Sequence, residues 1–393
     1  MAELENEKNT TTQADAEEPA LEEGIVSGEE EKIYVASYSK LMWWKFRRHK
    51  MAMVSAVVVI LLYFVAIFCE AVAPYDPEQY FIKYKNGPPT KIHIFDAEGR
   101  IHMPFVYRIV RTRNEETLRD IYNEDTTIRY PITLFVRGYE YKMWGLFKMD
   151  LHLFGLPVPQ EEQGVFLLGA DRLGRDLFSR MCYGARISLS IGLVGVLLSV
   201  TVGILLGGIS GYYGGKIDTA IQRVIEFIRT VPNIPLWMSL SAALPKDWPV
   251  VRVYFGITIL LSLISWTGMA RVVRGRFLAM REEDFVLAAR LAGSGEMRII
   301  LRHMLPSFLS YIIASLTLSI PGMILSETGL SYLGLGLRAP AISWGVLLRE
   351  AQNLRSLALI PWVLLPALAV VLTVLAFNFV GDGLRDAADP YAR

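Results

Sequence analysis

Ile187 to Ile209 reads ISLSIGLVGVLLSVTVGILLGGI, 23 residues without a charge. A bilayer core is about 30 Å thick, so roughly 20 such residues cross it as a helix, with every backbone group bonded internally where no water reaches. The run is a membrane span. Working outward, five further stretches meet or approach the same test: Met51–Val72, Ile221–Leu244, Val251–Met269, Pro306–Leu325 and Ile360–Val380. Ile221–Leu244 is the least regular, with Arg223, Glu226 and Arg229 in its first turns and Pro232 and Pro235 inside it; those charges can lie among headgroups while the apolar part completes the crossing. The expected fold is an all-α polytopic membrane protein of six spans.

Lys and Arg in short loops favour the cytoplasm. Lys45, Arg47, Arg48 and Lys50 precede the first span, and Arg271, Arg274, Arg276, Arg281, Arg290, Arg298 and Arg302 lie between the fourth and fifth. Six spans put both clusters, and both termini, on the cytoplasmic side of the membrane. No early apolar stretch with a cleavage site suggests a signal peptide. Residues 1–32 carry about five acidic side chains per basic one and read as a disordered cytoplasmic tail. Residues 33–73 hold the basic flank and first span, 74–180 an extracytoplasmic insertion, and 181–393 a core with five spans and a cytoplasmic loop at about 281–305.

Within the insertion, Lys91–Phe95 alternates like a strand and Thr133–Val136 is apolar and β-branched, while Asn86-Gly87, Glu98-Gly99 and Arg137-Gly138 mark turns. A small β-rich domain over the outer mouth is expected. His93, His102 and His152 match no metal-ligand spacing and read as ordinary histidines. Cys69 and Cys182 both fall near the outer face, and without a spacing motif they read as free thiols.

Several residues carry their own physics. Asp284 can cap a short helix and Gly293 can end it in a left-handed conformation; Ser294 can cap the next, with Glu296 in its first turn. Ala288, Ala289 and Ala292 give the first helix a small face that admits a close partner. Pro321-Gly322 predicts a kink in the fifth span. Glu327 lies near the outer boundary, where a carboxylate either faces protein or reaches the headgroups. Gly192, Gly195, Gly203, Gly207 and Gly208 suit tight helix packing. Gly211-Tyr212-Tyr213-Gly214-Gly215-Lys216 has the wrong glycine spacing for a phosphate loop and Ile217 where Ser or Thr would hold magnesium, so the chain shows no ATP site.

Four stretches together resemble the C-type permease of oligopeptide and dipeptide ABC importers, over more than half the chain. Leu168 to Leu189, with Gly169-Ala170-Asp171-Arg172-Leu173-Gly174-Arg175-Asp176, resembles the short outer-face helix before the second span. Arg281 to Gly293, running on to Leu305-Pro306, resembles the loop that docks on the ATPases. Asp284, Phe285, Ala288, Ala289, Gly293, Leu305 and Pro306 stand at matching positions, with Leu287 in place of a glutamate and His303 in place of an isoleucine. Ser326 to Gly336 with Ser343-Trp344-Gly345, and Asn378 to Asp386 with Asp389-Pro390, complete the set. The resemblance implies a multi-pass inner-membrane transport subunit that is not an enzyme and holds no cofactor or metal. Its implied partners are a second permease, two cytoplasmic ATPases that bind the ATP, and an extracytoplasmic solute-binding protein, with no nucleic acid. Peptides are the implied cargo, alongside the family's nickel, opine-like and oligosaccharide variants; Glu327, Pro321 and Gly322 become candidates for the pathway or permease interface. A secondary transporter would show midplane ionisable residues and inverted broken helices, and a membrane enzyme HExxH, GxSxG or paired aspartates. The sequence has neither pattern.

Overall fold

The computed structural model describes residues 38–96, 98–116, 120–158, 164–245 and 247–388. The acidic stretch 1–32 and the motif residues Asp389 and Pro390 lie outside the described residues. In chain order the helices are α1 (Tyr38–Arg48), α2 (Lys50–Ile67), α3 (Cys69–Val72), α4 (Leu177–Tyr213), α5 (Gly215–Thr230), α6 (Asn233–Ala242), α7 (Val250–Met280), α8 (Asp284–Leu291), α9 (Glu296–Arg298), α10 (Leu305–Ser307), α11 (Leu309–Tyr332), α12 (Trp344–Leu348), α13 (Leu354–Leu359) and α14 (Leu365–Ala388).

Among the described residues, five helical stretches are long and apolar enough to cross a membrane: α2, α4, α7, α11 and Pro361–Ala388. The expected third span departs from this. Ile221–Leu244 divides into the end of α5 and all of α6, because Val231 turns extended (φ −85, ψ 130) before Pro232, which has no N–H to continue a helix. The fifth span begins at Leu309 instead of Pro306: the chain breaks at Phe308 (φ −129, ψ 23), and α11 carries Pro321 and Gly322 inside it.

α4 is the central helix. A Cβ on Gly203 would lie 2.7 Å from Met269 Cβ, and one on Gly211 2.6 Å from Phe277 Cβ and 2.7 Å from the Arg274 carbonyl; at Gly207 it would overlap the Ala270 carbonyl. One glycine stripe thus presses α4 onto α7, and Gly192 and Gly195 do the same against Ile324 and Met323 of α11. Gly208 is looser, with neighbours no closer than 3.5 Å. α14 packs between α2 and α11, and its last turns meet α1 and the start of α2 through Ala387, Phe46 and Ala52.

Between α2 and α4, strands β1 (His93–Phe95), β2 (Ile101–Arg113) and β3 (Asp120–Pro131) form an antiparallel sheet, and β4 (Thr133–Met143) and β5 (Phe147–Gly155) a hairpin. His152 is buried, with Nδ1 2.7 Å from the Ala73 carbonyl and Nε2 3.1 Å from that of Tyr139, so it ties the hairpin to the end of α3. His93 lies beside Glu124 and His102 beside Asp96, and no metal-like cluster occurs among the described residues. Cys69 and Cys182 are free and buried in one apolar cluster.

The stretch before α4 is not the short helix that the resemblance implies. Ala170 and Asp176 bridge as in a strand pair, and Gly169 and Gly174 take φ of 79° and 81°. Asp171 organises the loop: its carboxylate accepts from the backbone of Leu173 and Arg175, from Arg175 Nε at 2.7 Å and from Arg180 Nη1 at 2.7 Å, while Arg175 also reaches Glu350 at 3.2 Å.

Candidate functional site

At the end of the bundle opposite the strands, α7 runs into α8. Glu283 occupies the cap position without a side-chain bond, and Asp284, expected as the cap, is the first helical residue, its charge beside the positive helix end. The exit follows the expected glycine. Gly293 has φ +78; its N–H donates to the Arg290 carbonyl at 3.0 Å and the Ser294 N–H to the Ala289 carbonyl at 3.1 Å, the paired bonds of a Schellman turn. Ser294 does not cap α9, whose cap position is Gly295.

The two faces of α8 differ from the alanine-face reading. Val286 and Ala289 are buried, in one cluster with Phe277, Met280, Ile299 and Met304. Ala289 therefore points into the subunit and not to a partner. Outward face Phe285, Ala288, Leu291 and Ala292, with Leu291 89% exposed. Leu291 escaped sequence reasoning, which weighed small residues and took Leu287 only as a departure from the family pattern; the signal was the 3.6-residue period that separates Val286 and Ala289 from the other side. The loop continues through a π-helical turn at Ile299–Met304 and ends at Leu305 and Pro306, half-buried and exposed respectively.

α4 braces this loop. Arg290 lies over the Tyr212 ring, 5.8 Å from its centroid, and Tyr213 donates to Glu296 at 2.6 Å. The residues that faintly resembled a phosphate loop are thus a structural clasp. Arg274 grips Asp218 with two bonds of 2.5 Å, and this ion pair holds the Asp218 carboxyl below its ordinary range. At the same end, His49, Arg276, Tyr311 and Asp382 line one cavity of about 970 Å³, so the start of α2, the end of α7 and the end of α14 lie together.

Higher in the bundle, a cavity of about 640 Å³ opens between α4, α6, α7 and α11, lined by Ser199, Trp237, Met269, Ser319, Gly322 and Ser326, with Arg229 of α5 contributing a charge. Gly322 faces it; Pro321 is buried in the helix packing. Glu327 does not reach it, nor the surface. It is fully buried within the subunit, accepting from Ser331 Oγ and Ser343 Oγ at 2.8 Å each and from Ser188 Oγ at 3.2 Å. It joins α4, α11 and the start of α12.

The family model for binding-protein-dependent transport system inner membrane components matches residues 203–393, and that for the N-terminal transmembrane domain of oligopeptide transport permease C matches 37–89. The oligopeptide transport system permease of Bacillus subtilis (strain 168) is 30% identical over 373 residues, 93% of this chain and 95% of its own length. The chain belongs to the oligopeptide and dipeptide ABC permease family. Within that family, an oligopeptide permease of Haemophilus influenzae is 40% identical over 59% of this chain and 72% of its own. A glutathione transport system permease of Escherichia coli is 34% identical over 88% of this chain and 89% of its own. As a permease of this family the protein is a multi-pass inner-membrane transport subunit and not an enzyme, and membership implies a partner permease, ATPases and a binding protein in general.

Proposed function

We propose that this permease pairs with a second, related permease to form the membrane path for peptides, and that α8 couples the path to two cytoplasmic ATPases while a solute-binding protein delivers cargo on the far side. The observation that carries the coupling role is the construction of α8. A buried edge fixes it to the subunit, a Schellman turn fixes its exit, and an exposed apolar edge of Phe285, Ala288 and Leu291 projects from the bundle. An ATPase cleft that closes on ATP moves such a rigid helix as a handle, and the π-turn and α10–α11 pass the displacement to the helix that bears Gly322. The 640 Å³ cavity, rich in hydroxyls and poor in charge, is this subunit's share of the path. Peptide cargo is supported by relatives named for oligopeptides, a dipeptide and glutathione.

The basic clusters support a cytoplasmic α8 end and cytoplasmic termini, residues 1–32 included, with the strands outside. Six crossings follow if α5 and α6 together traverse the membrane as a broken segment. A reporter at Gly138 is then outside and one fused to the C-terminus inside; both on one side would remove the broken segment from the count. Function is tested in proteoliposomes holding both permeases and the ATPases. Uptake of a labelled oligopeptide is expected only with ATP and the binding protein, and nickel or oligosaccharide uptake in its place would replace the cargo while leaving the coupling intact.

A further inference from the structure

The turn between β4 and β5 presents Trp144, Leu146 and Phe147, which are 50%, 75% and 59% exposed. Three large apolar side chains at a hairpin tip are costly in water, and this tip has a definite position. Trp144 Nε1 donates to the carbonyl of Ile67, the last residue of α2, at 2.9 Å, and its ring lies 5.7 Å from that of Phe68, which in turn lies 4.9 Å from Phe64. Leu61, Phe64 and Ile67 on that side of α2 are themselves about half exposed. The tip therefore extends the lipid-facing surface of a span at its end. Trp144 also holds φ +51 beside Gly145 at +75, a left-handed pair that turns ordinarily give to Asn-Gly, so an indole stands where local preference favours a small polar residue. Directly behind the tip, Lys142 and Lys148 pair in register and are exposed.

We propose that Trp144, Leu146 and Phe147 form an anchor in the membrane interface: the hairpin tip enters the headgroup and upper acyl region, and Lys142 and Lys148 sit at the phosphates above it. An indole with one polar edge suits that boundary, and lysine stems reach from an apolar layer to anionic headgroups. The anchor fixes the depth and tilt of the strand region against α2. It depends on α2 spanning the bilayer and not on what the permease carries.

The test uses the full chain with its partner permease in nanodiscs of phosphatidylcholine and phosphatidylglycerol. In a Cys69→Ala, Cys182→Ala background, a spin label at Leu146→Cys is expected to show an oxygen-to-nickel-chelate accessibility ratio several-fold higher than a label at Glu98→Cys on the β1–β2 turn. A ratio equal to that at position 98 would place the tip in water; a label closed to both quenchers would place it against protein. Either result overturns the proposal. Should the cysteine-free chain fail to fold, Trp144→Phe in the native chain is expected to lose a component of emission that brominated phosphatidylcholine quenches. No loss of lipid-quenched emission would equally defeat the anchor.

Discussion

Leu291→Asp separates the coupling face of α8 from its structural face. Leu291 is 89% exposed in the subunit, so the change is expected to leave the permease's own stability within about 0.5 kcal/mol of wild type. At a docked interface the same position would bury a leucine, about 1.5–3 kcal/mol, and an aspartate there adds the desolvation of an unpaired charge. A loss of at least about 3 kcal/mol corresponds to ATPase docking weakened about a hundredfold. Ala289→Glu behaves differently. Ala289 is 9% exposed and its carbonyl anchors the Schellman turn, so a carboxylate there enters the cluster of Val286, Phe277 and Ile299 and costs the subunit itself several kcal/mol. The assay pairs ATPase copurification with thermal unfolding of the permease alone. Leu291→Asp is expected to lose ATPase with unchanged unfolding, and Ala289→Glu to lower the unfolding temperature as well. Wild-type ATPase recovery with Leu291→Asp would refute the assignment of the outward face, and an unchanged unfolding temperature with Ala289→Glu would refute the inward one.

Three further outcomes follow from buried groups. Glu327→Leu strands the Ser188, Ser331 and Ser343 hydroxyls, each at about 1–3 kcal/mol, whereas Glu327→Gln keeps an acceptor; thermal unfolding is expected to show a large loss for the first and a small one for the second. Gly207→Val drives a side chain into the Ala270 carbonyl and is expected to cost more than about 3 kcal/mol and abolish accumulation in the membrane, while Gly275→Ala, with nothing within 4 Å, is expected to be accepted. Asp176, at the cap of α4, is fully buried with Oδ1 unpartnered, and burial pushes its carboxyl up to about 7. Its folded form holds a proton more tightly than the unfolded chain does, so stability is expected to be highest below about pH 4 for this group and to fall as pH rises toward about 7. Asp176→Asn, which keeps an acceptor for the Ser179 N–H, is expected to flatten the decline of unfolding temperature between pH 5 and 8.

Local chemistry carried much of the site. Gly293 was legible because only a left-handed residue completes the exit of α8, and Gly203 and Gly207 because helices that touch need small residues at a fixed period. The path was less legible. Glu327 reads as exposed or pathway-facing because a carboxylate in an apolar run usually marks function, yet Ser331 one turn on, Ser343 at the start of α12 and Ser188 from the distant α4 satisfy it in the core. Ala289 reads as a docking residue because alanine permits close approach, and that property serves equally well against Ile299 and Phe277.

By itself the sequence determined that the chain crosses a membrane, since long uncharged runs have no other stable environment, and the order of its motifs determined the family. What only the tertiary structure decided was direction: which edge of α8 faces out, which glycines of α4 meet α7 and which meet α11, and where Glu327 and Trp144 find their partners. Hydrophobicity and spacing along a chain fix how strongly a residue avoids water. The packing of segments that lie far apart in sequence fixes what it meets instead.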